Sequence, residues 1–156
     1  MSLQAAVVEY PIVHLKRTYQ VSADRMFRAW TRANELSRWF GPEGVIVTDA
    51  RVDLKIGGVM TLTMNMPDGG QTRLKTVYRE IILNERLVFT WQWLSPSCEG
   101  SREVEEETLV TVNFRPLADG GTEVDIVHEG LPTQSARDSH KKGWNGCLDC
   151  LQISLA

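Results

Sequence analysis

Between Tyr10 and Gln20 apolar and polar side chains alternate: Val13, Leu15 and Tyr19 fall on one face, and His14, Lys16 and Thr18 on the other. That period of two is the pattern of a half-buried strand. The period then changes. Ser22 offers a side-chain oxygen as an N-cap, and Met26, Phe27 and Trp30 behind it recur at helical spacing. A second short helical pattern carries Leu36, Trp39 and Phe40 and stops at Gly41-Pro42. From Val45 to Glu129 the texture is that of an antiparallel meander, runs of about five to ten residues separated by turn chemistry. Gly57-Gly58 leads into 59–66, Pro67-Asp68-Gly69-Gly70 into 71–82, and Asn84-Glu85 into 86–94; Asp119-Gly120-Gly121 joins 107–116 to 122–129. The segment 95–106, with Pro96, Gly100, Glu103, Glu105 and Glu106, is too polar for a core and predicts a long connection between strands.

The last pattern starts at Thr133, a candidate N-cap, and runs to the C-terminus. His140, Trp144, Cys147, Leu148, Leu151 and Leu155 share one stripe, so one face of this helix must be buried. Gly143 and Gly146 interrupt it at a cost of about 1 kcal/mol each relative to alanine. Lacking side chains, they allow close approach of a sheet or leave room for a guest. A curved sheet that is hydrophobic on its concave face needs a cover, and only this helix is long enough. The fold class predicted is therefore α+β of the helix-grip kind: a curved antiparallel sheet of about seven strands, two short helices after the first, and a long C-terminal helix across the concave face. A cavity would form between helix and sheet.

Composition fits this picture. The 156 residues make one domain, taken as 10–156 behind an N-terminal extension of residues 1–9. Hydrophobic residues at 42% and charged residues at 24% are those of a folded globular chain. A net charge of −3 supplies no positive field for nucleic acid or an anionic membrane. No apolar run approaches the roughly 20 residues needed to cross a bilayer, and residues 1–9 lack the pattern of a signal segment. Cys98, Cys147 and Cys150 form no secreted disulfide framework and are expected to be free thiols. The expectation is a cytoplasmic protein with no nucleic-acid partner and no membrane insertion.

The inward sets of the best-patterned strands are Met60, Leu62, Met64 and Met66; Leu87, Phe89, Trp91 and Trp93; and Val124, Ile126 and His128. Flexible methionines beside tryptophans suit an irregular apolar or aromatic ligand, although the same residues could simply fill a core. His128 and His140 are candidate polar anchors or acid/base groups, and Tyr78 a candidate proton carrier, against the alternative of hydrogen-bonded structural residues. No nucleophile or oxyanion device accompanies them, so no catalytic residue is assigned. His14 points to the opposite face and is expected to be exposed. Cys147-x-x-Cys150 resembles a zinc or redox half-motif, but it lies deep within a helix and has no second ligand pair; no metal and no cofactor are expected. The acidic run Glu103 to Glu107 reads as a solvated loop that could meet a basic partner.

Several segments carry a resemblance. Phe27-Arg28-Ala29-Trp30-Thr31, Leu36-Ser37-Arg38-Trp39-Phe40-Gly41-Pro42, Asp53-Leu54-Lys55-Ile56-Gly57-Gly58, Glu85-Arg86-Leu87-Val88-Phe89-Thr90 and Gly143-Trp144-Asn145-Gly146-Cys147-Leu148 resemble the family of proteins similar to the C-terminal domain of the heat-shock-protein ATPase activator. That family belongs to the START-like (SRPBCC) helix-grip superfamily, with polyketide cyclases and birch-pollen-allergen proteins. The resemblance runs from about Tyr10 to the end and implies a central cavity that takes lipids, polyketides or other hydrophobic molecules. It carries over no catalytic residue. Its eukaryotic co-chaperones add an N-terminal module for which a chain of this length is expected to have no room.

The leading reading is a binding module that takes a small hydrophobic or aromatic ligand, lined by Trp39, Phe40, Met64, Tyr78, Trp91, Trp93, His128, Trp144 and Leu148. The alternatives are a cyclase- or hydrolase-like enzyme using the same cavity and a modulator of a chaperone ATPase.

Overall fold

In the computed structural model, which describes residues 11–97, 100–103 and 107–156, β1 (Val13–Tyr19) buries Val13 and Tyr19 and turns His14, Lys16 and Thr18 outward. Helix α1 (Ala23–Thr31) begins where the Ser22 side chain accepts from the Arg25 amide, and α2 (Ala33–Trp39) follows after the single extended residue Arg32. The Trp39 indole donates to the Ala29 carbonyl at 2.9 Å and so ties the two helices together. The remaining strands are β2 (Ile46–Val52), β3 (Val59–Asn65), β4 (Gln71–Ile82), β5 (Arg86–Ser97), β6 (Gly100–Glu103), β7 (Thr108–Pro116) and β8 (Thr122–Glu129), before α3 (Gln134–Ser154).

The sheet order is β1-β8-β7-β5-β4-β3-β2, antiparallel throughout, with β6 paired to β5 alone. Alternation sends Leu87, Phe89 and Trp91, Val110, Val112 and Phe114, and Val124, Ile126 and His128 into the concave side, where all are buried. Across them lies α3, capped by the Thr133 hydroxyl, which accepts from the Ala136 amide at 3.0 Å. Its buried stripe is Trp144, Cys147, Leu148 and Leu151. Strand β1 holds the middle of this helix: the Tyr19 hydroxyl donates to the Leu148 carbonyl at 3.1 Å, and Arg17 donates to Asn145 Oδ1 at 2.9 Å. This is the α+β helix-grip architecture.

One expectation is corrected. The described residues of the segment 95–106 are strand, not a long loop: β5 continues through Ser97 and pairs with β6, with Leu94 opposite Glu103 and Ser97 opposite Gly100. A ladder is built from backbone groups, so a polar sequence can extend a strand that its side chains would not announce. Cys98, Glu105, Glu106 and residues 1–9 lie outside the described residues. Cys147 and Cys150 are free thiols. Among the described residues no helix is long and apolar enough to cross a membrane.

Candidate functional site

Helix α3 and the concave face do not meet everywhere, and the gap is a cavity of about 320 Å³. The segment after α2 contributes Phe40, Pro42 and Val45, while β3 and the residue beyond it contribute Met64 and Met66. Strand β5 contributes Trp91 and Trp93. From α3 come Ser139, His140, Gly143, Trp144 and Cys147. Among the described residues, aspartate, glutamate, lysine and arginine are all missing from this wall.

The aromatic rings meet at several angles. Trp91 lies 5.1 Å from Trp144, and 5.5 Å from Trp93 with their planes at 88°. Phe40 stands 6.0 Å from Trp144 with planes at 76°. Such edge-to-face and tilted contacts are the favoured arrangements of aromatic quadrupoles, so the walls are held without a ligand.

Two indole–imidazole pairs fix the polar atoms. The Trp93 indole donates to His140 Nε2 at 3.1 Å, and His140 Nδ1 lies 2.7 Å from the Ala136 carbonyl. A carbonyl only accepts, so Nδ1 carries the proton and Nε2 is the acceptor. Behind it, the Trp144 indole donates to His128 Nδ1 at 3.1 Å, while His128 Nε2 lies 2.7 Å from Thr108 Oγ1. Here the proton must sit on Nε2. The Thr108 hydroxyl then passes its own hydrogen to the Trp91 carbonyl at 3.3 Å. Burial first, and the neighbouring His140 second, push the His128 pKa down to about 3, so the ring is neutral.

Of the residues expected at a site, Phe40, Met64, Trp91, Trp93 and Trp144 are brought together at the cavity. The other four lie elsewhere in the core. Trp39 turns toward α1, and Leu148 is buried with its carbonyl accepting from the Tyr19 hydroxyl. Tyr78 reaches Met60 Sδ at 3.7 Å, and burial raises its pKa. His128 has no exposure and is screened by Trp144. Pro42, Val45, Met66, Ser139, Gly143 and Cys147 complete the wall without having been expected there as ligand contacts. The helix residues did give a signal, since Ser139 and Gly143 lead at four-residue spacing to Cys147 of the apolar stripe.

The two glycines of α3 differ. A Cβ on Gly146 would come within 2.7 Å of Pro42 Cβ, so this glycine lets the helix seat against the segment after α2. Gly146→Ala is expected to cost about 1–3 kcal/mol by overpacking, read from urea denaturation; an unchanged midpoint would mean that the contact is not tight. A Cβ on Gly143 would meet nothing within 4 Å. Cys147 serves packing: its sulfur accepts the Gly41 amide at 3.2 Å, and burial pushes its thiol up to about 12. Among the described residues no group of three or more His, Cys, Asp or Glu is placed to hold a metal ion.

Solved structures share this architecture at low sequence identity. A protein from Arthrobacter aurescens superimposes with a TM-score of 0.81 at 20% identity, over 96% of this chain and 92% of that one. The AHSA1 protein of Silicibacter pomeroyi gives 0.80 at 22%, over 92% and 96%. One from Chromobacterium violaceum gives 0.79 at 22%, over 92% and 95%. At such identities the likeness speaks for the fold alone. No curated protein matches the sequence. Residues 20–156 match the family described as Activator of Hsp90 ATPase homolog 1-like protein, and with most of its length inside that match the chain belongs to this family.

Proposed function

We propose that this protein binds a small, mostly apolar molecule in the cavity between α3 and the concave face of the sheet. The observation that carries the proposal is the wall itself, about 320 Å³ lined by tryptophan, phenylalanine and methionine with, among the described residues, no formally charged side chain. Ligand pockets span about 300–1,000 Å³ and are mainly apolar with a few placed polar groups, so this one suits a small guest. Removing apolar surface from water would supply the affinity. The enzymatic reading finds less support. His128 and Tyr78 do not reach the cavity, and both nitrogens of His140 are engaged.

Trp91, Trp93 and Trp144 stand in the wall, so a guest should change the intrinsic fluorescence. At about one hundred times its dissociation constant it should add about 2.7 kcal/mol of stability. Gly143→Leu, which puts a side chain into the open space, should remove both responses. A lipid and aromatic library that leaves fluorescence and melting temperature unmoved would end the proposal.

A further inference from the structure

We propose that the guest is an uncharged aromatic molecule of about two fused rings with one hydrogen-bonding substituent directed at Ser139, and that Gly143 limits its size; this rests on the binding function proposed above.

The size follows from the volume. A dry apolar cavity of about 150 Å³ accepts benzene, and the space here, about 320 Å³, is roughly twice that. Two rings fit with room for a substituent, whereas a long acyl chain would fill the space or leave part of its length in the open mouth. The charge follows from the wall. Among the described residues no carboxylate, ammonium or guanidinium lines it, and the imidazole of His140 is committed to Trp93 and Ala136, so a charge drawn in among the rings would find no counter-ion there. Indole faces also attract cations, but without a carboxylate nearby that attraction works against the full loss of hydration. Aromatic character follows from ring orientation. Planes at 88° for Trp91 and Trp93 and 76° for Phe40 and Trp144 present both faces and edges to a planar guest.

Gly143 supplies an independent observation. Glycine is unfavourable inside a helix, and Gly146 is explained by Pro42, whereas Gly143 has no atom within 4 Å of a would-be Cβ and no positive φ. The empty protein would be more stable with alanine there. A ring lying against the bare Cα gives the missing reason. One turn earlier on the same wall, Ser139 is exposed and has no hydrogen-bond partner among the described residues, while the indole of Trp93 and the imidazole of His140 satisfy each other. The substituent of the guest therefore belongs at Ser139.

The test is calorimetric titration of wild type and Gly143→Ala with 2-naphthol, phenol, naphthalene-2-sulfonate, naphthyl-trimethylammonium and dodecanoate, together with melting of the unliganded proteins. Wild type should prefer 2-naphthol to phenol, to both charged naphthyl compounds and to dodecanoate by about tenfold or more. Gly143→Ala should melt about 2–4 °C higher when empty, bind 2-naphthol about tenfold or more weakly, and lose less affinity for phenol than for 2-naphthol. Binding of dodecanoate or of either charged compound in preference to 2-naphthol would overturn this inference and leave the broader binding function standing. An alanine variant that neither gains stability nor loses 2-naphthol would remove the role of Gly143. Silence of the whole panel overturns the inference, and the broader function falls with it only when the wider library is silent too.

Discussion

Replacing Trp144 by alanine should lower the unfolding free energy by about 3–5 kcal/mol, as expected when a buried tryptophan is deleted from a core. The ring is 3% exposed and contacts Trp30, Phe40 and Trp91, so few neighbours could collapse into its space without breaking contacts of their own. Its N–H is also the partner of His128 Nδ1, and His128 has no access to water. Alanine therefore strands a buried acceptor as well as opening a void, which places the loss toward the top of the range. Against the roughly 5–15 kcal/mol that holds a domain together, a substantial fraction of the variant would be unfolded in mild urea. Trp144→Phe separates the two contributions. It keeps most of the ring and loses the N–H, with an expected cost of about 1–3 kcal/mol from the stranded acceptor. Urea denaturation with equal slopes measures both; a loss below about 1 kcal/mol for alanine would mean that the indole does not seal the core as the ring contacts imply.

The elements of the fold were legible because their signals are local. Alternation from Val13 to Tyr19, the caps at Ser22 and Thr133, and the Gly57-Gly58 and Asp119-Gly120-Gly121 turns each depend on a few neighbouring residues, and the structure uses them as read. Strand β6 escaped because its pairing is a property of backbone groups. The site was legible only in part for a different reason. Alternation puts His128 on the concave face correctly, but whether it touches the cavity is decided by Trp144 on another element. Trp39 and Phe40 are neighbours in sequence, yet one faces α1 and the other the cavity. Gly143 and Gly146 look alike in the sequence; only their surroundings separate a glycine that seats a helix from one beside open space. Inwardness is encoded by period, whereas the boundary of a void depends on how distant side chains meet.

Acid should weaken the protein through His128. In the unfolded chain its imidazole titrates near 6.5, while in the native state burial and the His140 ring hold it down to about 3. Between these values the unfolded state binds a proton that the native state refuses, so stability rises with pH there and falls as pH is lowered. The contribution is intact above about pH 6.5, declines below it, and levels off near pH 3. About two pH units below the unfolded value the expected loss is about 3 kcal/mol, an order-of-magnitude figure. The cause is geometric as well as dielectric: a proton on Nδ1 would face the Trp144 N–H, two donors with no acceptor between them, while Nε2 is already committed to Thr108. Carboxylates such as Glu123, whose pKa is lowered chiefly by its hydrogen bond from Arg115, lose their contribution at lower pH than the upper part of this window. The interval from about pH 6.5 to about pH 5 therefore separates histidine from carboxylate titration, and comparison with a His128 variant separates His128 from His14 and His140. His128→Gln should be less stable at neutral pH but should lack this part of the acid slope. Urea midpoints for the two proteins across that interval decide the matter: parallel pH profiles would mean that His128 takes up its proton in the native state, and the sealed, neutral ring behind the cavity wall would have to be abandoned.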